Sequence, residues 1–379
     1  MPFALHVNAE RWHRHVRTFA QATTGLVPVI KGNGYGFGRD LLAAEVGDLG
    51  LDMIAVGTYP EVPGALDAFG GDVMVLTPWR PFFTDVTYDA RVIHTVGRIE
   101  DVEALAVTAP AGTRIVVEGE TSMSRHGFDR HELAAAVKAL GELEVAGFAI
   151  HLPLAGQGGN LDEAQGWAAV LETSQLETTT MFVSHLTPGD YAVLRERRPN
   201  LTIRPRIGTS LWLGDLGAIT ARATVLDIHN VGRGERIGYR QRPMPRDGYL
   251  LIVAGGTSHG IGLEAPKATS GFVQRGKSVA RGGLEAAGFA LSPFTIDGKQ
   301  RWFAEPPHMQ ASMVFLPASA KVPAVGDWIA KAIQSSPLTD EAALRIFADR
   351  GYDLGWTSWA LALPDDVAIP QRELAAGCA

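Results

Sequence analysis

Eight short β-rich apolar runs follow one another through about the first 210 residues, and this rhythm constrains the fold more than any other feature. They fall at 26–31 (LVPVIK), 53–58 (MIAVGT), 73–78 (VMVLTP), 92–96 (VIHTV), 113–119 (TRIVVEG), 145–151 (VAGFAIH), 179–184 (TTMFVS) and 202–208 (TIRPRIG). Stretches with helical spacing separate several of them, such as 130–141 (RHELAAAVKALG) and 162–176 (DEAQGWAAVLETSQL). Parallel strands need crossover helices, so the order predicts an α/β fold with an N-terminal (β/α)8 TIM barrel. The fourth unit is weak, with few helical residues on either side.

After about residue 215 the rhythm changes. "ITARATVLDIHNVGRGERIGYRQ" alternates polar and apolar residues and breaks at glycine-rich turns, and "DGYLLIVAGG" and "SMVFLPAS" continue the pattern. That is the signature of antiparallel strands. The expected division is a barrel over residues 1–215 and a predominantly β domain over 216–379, with residues 355–379 peripheral.

With 379 residues, 46% of them hydrophobic and 20% charged, the chain can bury a full core. Its net charge of −7 argues against nucleic-acid binding. The single cysteine, Cys378, excludes intrachain disulfides and cysteine-ligated metals. No apolar run has membrane-spanning length and no signal-peptide core is present, so the expectation is a cytoplasmic protein with no membrane partner.

Within this frame one stretch stands out. "VPVIKGNGYGFGRD" (27–40) ends an apolar run on Lys31, then places glycine at 32, 34, 36 and 38. A barrel carries its catalytic groups at the carboxyl ends of its strands, which is where Lys31 falls. On spacing alone Lys31 is either a strand-end lysine snorkelling to solvent or a desolvated amine suited to a Schiff base. A Walker phosphate loop is disfavoured, because there the lysine follows the glycines.

"VIKGNGYGFG" resembles the pyridoxal-phosphate attachment motif of the alanine racemase family, V-x-K-A-N-A-Y-G-H-G. Lys31, Asn33, Tyr35, Gly36 and Gly38 match, while Gly32, Gly34 and Phe37 depart from it. Further motifs follow in family order, over roughly residues 5 to 330. The resemblance implies a covalent link between Lys31 and pyridoxal 5′-phosphate, with Lys31 also moving a proton on one face of the substrate α-carbon. It makes Tyr35 a phosphate donor. "ETSMSRHGF" (120–128) resembles D-T-G-M-x-R-x-G-F and makes Arg125 the residue near the cofactor's phenolic oxygen and the substrate carboxylate. Glu118 stands where many members have a carbamylated lysine. "GFAIH" (147–151) makes His151 the residue beside the cofactor ring. "RIGTSLWLG" (206–214) resembles R-x-G-I-x-x-Y-G, so Arg206 would bond the pyridine nitrogen, and the Gly208 and Thr209 amides would hold the phosphate. Arg204 competes with Arg206, but the spacing to Gly208 favours Arg206. Ser184 or Thr187 would add a phosphate hydroxyl.

The resemblance weakens in the second domain. "GERIGY" (234–239) and "HMQASMV" (308–314) remain close to family segments, and the latter makes Met309 a substrate-site residue supplied to a partner subunit. The family's G-Y-A-D-G tyrosine, which works from the opposite face, aligns with Thr257 in "GGTSHG", and a threonine hydroxyl is far too weakly acidic to replace a phenol. His259 is the candidate substitute base. Gln310 replaces an aspartate, and S-Y-R-V-P-R has no counterpart in 340–379. The expectation is an amino-acid racemase-like homodimer with shared active sites and no metal. The alternatives are a one-face enzyme of decarboxylase or aldolase type, or a cofactor-binding protein with little turnover.

Overall fold

The computed structural model describes residues 3–154, 159–257, 261 and 290–329. The chain divides into two compact units, one spanning Arg14–Gly214 and the other formed from the described residues on either side of it.

The first strand, β1 (Phe3–Val7), belongs to the second unit. The barrel then takes β2 (Val27–Pro28), β3 (Met53–Val56), β4 (Asp72–Val75), β5 (Val92–Val96), β6 (Arg114–Gly119), β7 (Glu144–His151), β8 (Thr180–Ser184) and β9 (Thr202–Ile207). These eight strands form one sheet in the order β2-β9-β8-β7-β6-β5-β4-β3, and every pairing is parallel. A parallel bridge between Val29 and Ala55 joins β2 to β3 and closes the ring. The expected (β/α)8 barrel is therefore present.

Helices α1 (Ala9–Ala22), α2 (Arg39–Asp48), α3 (Val62–Ala68), α4 (Ile99–Thr108), α5 (Leu133–Ala139), α6 (Asn160–Thr173) and α7 (Pro188–Arg197) alternate with the strands. α6 buries Ala164, Trp167, Ala168 and Leu171, the three-four spacing that turns one helical face to a sheet. Between β4 and β5 no helix forms. Pro78 and Pro81 lack the amide that a helix interior requires, and residues 76–91 cross there as an irregular segment.

Strand side chains alternate, so every second residue faces the barrel axis. Val27, Val29, Met53, Ala55, Met74, Ile93, Val116, Ala149 and Phe182 make the interior cluster. Two residues further along several of these strands come Lys31, Gly57, Thr95, Glu118, His151 and Ser184. The apolar plug thus gives way to polar groups at the carboxyl end.

In the second unit, α8 (Thr209–Trp212) having ended the barrel, β10 (Ile219–Val231) runs through an antiparallel sheet with β13 (Gly248–Ala254), β14 (Leu291–Ile296), β15 (Lys299–Phe303) and β16 (Ala311–Pro317). The order is β1-β10-β13-β16-β15-β14, with the short β17 (Trp328–Ile329) also on β10. A separate hairpin pairs β11 (Arg236–Ile237) with β12 (Arg242–Pro243). Alternate residues of β14 are buried, the pattern of a sheet with one covered face. Val231, Ile237, Met244, Leu250, Ala304 and Phe315 form an apolar cluster here. No helix among the described residues is long and apolar enough to cross a membrane.

Candidate active site

The glycine-rich stretch is a tight loop closed on itself. Phe37 N–H donates to Gly34 O at 2.9 Å, Gly38 N–H to Asn33 O at 3.0 Å, and Gly36 N–H to the Asn33 side chain at 3.0 Å. Gly34 has φ +65°, and a Cβ there would meet the Gly38 carbonyl carbon at 2.5 Å. Only glycine fits that crossing. Lys31 lies past the end of β2 and its side chain is exposed, which corrects the reading of a desolvated lysine. The strand stops short because Pro28 cannot donate to the ladder and the glycines redirect the chain.

Tyr35 takes a left-handed φ of 56° and is buried. Its hydroxyl rests on Gly208, so closely that a Cβ there would overlap it. Gly208 and Thr209 open α8, which is anchored beneath β2 by Trp212 Nε1–H donating to Val29 O at 2.8 Å. Tyr35, Gly208 and Thr209 are thus brought together from opposite ends of the barrel sequence.

Arg206 is buried, with Nη2–H donating to Ile150 O at 2.9 Å and Nε left with no hydrogen-bond partner. Burial pulls its pKa down, and the Glu118 carboxylate opposes that. Arg204 instead pairs with Asp52, Nη1 to Oδ2 at 3.0 Å, so the competing arginine is engaged elsewhere. Glu118 is buried, and its Oε2 has no partner. Burial pushes its pKa up, against the pull of Arg206, Arg125 and Arg80.

His151 ends β7. Burial lowers its pKa to about 2, with Arg206, Arg125, His185 and Lys31 acting in the same direction. It is therefore neutral at any physiological pH. The ring of His185, a residue at φ 63°, meets it edge-on at 4.9 Å. Arg125 lies exposed in the excursion 120–127, which is pinned where Glu120 N–H donates to Phe128 O and Phe128 N–H to Glu118 O, both at 2.8 Å. Thr121 Oγ1 donates to His151 O at 2.6 Å and ties this loop to β7.

The two phosphate-hydroxyl candidates separate. Ser184 is buried at the end of β8, whereas exposed Thr187 caps α7: its Oγ1 accepts from Asp190 N–H at 3.1 Å and donates to Asp190 Oδ2 at 2.7 Å. In the second unit Thr257 N–H donates to His308 O at 2.8 Å, and Met309 is 69% exposed. His259 lies outside the described residues. Three groups escape sequence reasoning. One is Glu61, buried beneath the Lys31 loop; another is Arg80, near Glu118; the third is a pair in which His308 Nε2 meets buried Glu305 Oε1 at 2.6 Å under the ring of Tyr239. The histidine in "HMQ" was the one signal that could have found the pair. Among the described residues no cluster of three or more His, Cys, Asp or Glu side chains could hold a metal ion.

A closed barrel with a lysine, two arginines and a tyrosine-backed helix start at its carboxyl end defines a class of cofactor-binding barrel enzyme. The chain belongs to the alanine racemase family: the model of the alanine racemase N-terminal domain matches residues 7–194. Alanine racemase from Nitratidesulfovibrio vulgaris is 27% identical over a 267-position alignment that covers 64% of this chain and 70% of that one. The Acidithiobacillus ferrooxidans alanine racemase is 25% identical over a 284-position alignment that covers 66% of this chain and 75% of that one. Among solved structures, Bartonella henselae alanine racemase with covalently bound pyridoxal phosphate superposes with a TM-score of 0.69 at 18% identity, covering 92% of this chain and 97% of that one. Histidine racemase from Leuconostoc mesenteroides gives 0.63 at 16% identity, covering 92% and 95%.

Proposed function

We propose that this protein is a pyridoxal-phosphate-dependent racemase that inverts the α-carbon of an amino acid. The observation that carries the reading is the convergence at the barrel's carboxyl end of Lys31, of Tyr35 stacked on Gly208, and of a buried arginine with an unpaired Nε. These residues fit the cofactor. An unpartnered buried donor suits a ring nitrogen, and a hydroxyl beside two amides at a helix start suits a phosphate.

In this reading Lys31 holds the cofactor covalently, Arg206 meets its ring nitrogen, and Tyr35, Ser184, Gly208 and Thr209 hold its phosphate. Thr187 is already engaged as a cap. When bound, the cofactor draws electrons from the α-carbon and acidifies its C–H bond. Arg206 stays charged, so it leaves the ring nitrogen unprotonated and favours brief deprotonation over long-lived carbanion chemistry. Arg125 takes the substrate carboxylate. Neutral His151 donates no charge and serves to orient. Lys31 moves the α-proton on one face.

Inversion also needs a proton carrier on the other face. Thr257 cannot be one, and this favours a second reading, an enzyme that exchanges the α-proton on one face only, with weak racemisation. A cofactor-binding protein with little turnover is the limiting form of that deficit. The family reading further implies a homodimer in which one copy's sheet unit, including Met309, completes the other's site. Light scattering of the cofactor-loaded protein at micromolar concentration should give a dimer; a monomer contradicts the shared-site arrangement.

Incubation of each enantiomer of several amino acids in deuterated water tests the function. Deuterium uptake with inversion is the racemase outcome. Uptake with retained configuration supports the one-face reading, and absence of exchange excludes both.

A further inference from the structure

Glu61 is fully enclosed, yet it belongs to none of the roles above. Its carboxylate sits where the loops after β2 and β3 meet. Gly57 N–H donates to Oε2 at 2.9 Å, Thr58 Oγ1 to Oε1 at 3.1 Å, and Gly32 N–H to both oxygens at 3.3 Å. Gly32 directly follows Lys31, and its carbonyl in turn accepts from Arg39 Nη1 at 2.5 Å. Gly57 is held as well, its carbonyl accepting from Thr77 Oγ1 at 2.6 Å. The tips of three consecutive strands are therefore bound into one network, and Glu61 is its only anion. A carboxylate enclosed this far needs such donors, and here every donor belongs to a loop lining the Lys31 end of the barrel.

The packing at Gly57 sharpens the relation. A Cβ there would stand 3.1 Å from Glu61 Oε1 and 3.1 Å from Lys31 Cβ. The carboxylate and the root of the lysine side chain thus share one gap, open only because residue 57 is glycine. Among the described residues, the other titratable groups at this end of the barrel include Arg39, Arg80 with its partner Asp101, Arg125, Arg206, Glu118, His126, neutral His151 and His185, with Glu163 holding the 120–127 loop.

We propose that Glu61 is a positioning residue for Lys31: it clamps the peptide that follows the lysine and supplies the fixed negative charge beside it. The proposal rests on Lys31 as the attachment point, and its first measurement does not. Hydrogen–deuterium exchange of the full chain without cofactor reads the clamp. Glu61→Ala should speed exchange of the 32–38 amides by about tenfold or more while other barrel strands keep their protection. Should that variant fail to fold, Glu61→Asp, which retracts the carboxylate, gives the same reading. Unchanged exchange overturns the clamp.

Absorbance of the cofactor-loaded protein against pH reads the charge. Glu61→Gln keeps the shape and one acceptor oxygen but removes the anion. The midpoint of the lysine-bound cofactor's transition should fall by about half a unit or more, since a cationic nitrogen loses a nearby negative charge. An unmoved midpoint overturns the counter-charge, because a role in packing alone would leave it where it was. Borohydride fixation at a lysine other than Lys31 would remove the racemase reading, and the exchange measurement would still decide for or against the clamp.

Discussion

At the barrel mouth the polar side chains are held by backbone drawn from several strands: Glu61 by two loop tips, Arg206 by the Ile150 carbonyl, and Tyr35 by its seat on Gly208. The loop end of the antiparallel sheet is built differently. There Tyr239 is 87% exposed, Met309 stands in solvent, and Thr257 is fixed through its backbone amide. A side chain that organises strand ends cannot change without disturbing the barrel, whereas one projecting from a sheet loop changes at little cost to folding. In the reading proposed above, this difference is why the cofactor-holding residues match the family motif while the sheet-loop residues depart from it.

The comparison breaks first at Lys31. Lys31→Ala should cost about 10⁴-fold or more in α-proton exchange while leaving the circular dichroism of the barrel intact, because an exposed side chain carries little of the fold. On the sheet side, Thr257→Tyr should raise racemisation by up to about 10²–10⁴-fold if the phenol finds its family position, read as the rate of optical inversion. An unmodified protein that racemises alanine at an ordinary enzymatic rate would show that no deficit exists. Gly208→Ala should weaken cofactor binding by about 10–100-fold in equilibrium titration, since its Cβ displaces the Tyr35 hydroxyl.

How much of this was legible in sequence depends on whether a feature is local. The eight barrel strands were legible because each is a short apolar run with its own period, and Lys31 was legible because its glycines follow in register. β1 was not, since "FALHV" does not name a partner; Phe3 pairs with Ala223, and nothing local announces a contact across so much chain. Glu61 was hidden for a related reason. A glutamate near a strand end reads as solvated until the fold shows that donors from separate loops surround it. Ser184 and Thr187 became distinguishable only when Thr187 proved to be a helix cap, a signal its Thr-Pro-Gly-Asp context did contain.

Smaller effects sharpen the contrast. His94 is fully buried on β5, its Nδ1 3.2 Å from the Tyr59 hydroxyl, and burial lowers its pKa to about 4. Its folded pKa lies below the unfolded value, so the unfolded chain binds the extra proton first. Stability is full above about pH 6.5 and falls as pH drops toward 4, by roughly 3 kcal/mol at most. Denaturant unfolding should show this loss, and His94→Gln should remove the His94 part of it while the part due to His151 remains. Met309→Ala should do least, shifting stability by no more than about 0.5 kcal/mol and leaving the cofactor spectrum unchanged, with KM as the parameter that moves.

The account stands on Lys31 as the residue that carries the cofactor. The direct measurement is to load the purified protein with pyridoxal 5′-phosphate, reduce it with borohydride, digest it and locate the label by mass spectrometry. The expected result is one modified peptide containing "VIKGNGYGFGR", with the mass increment on Lys31. Label on any other lysine, or a protein that takes up no cofactor, would contradict the account.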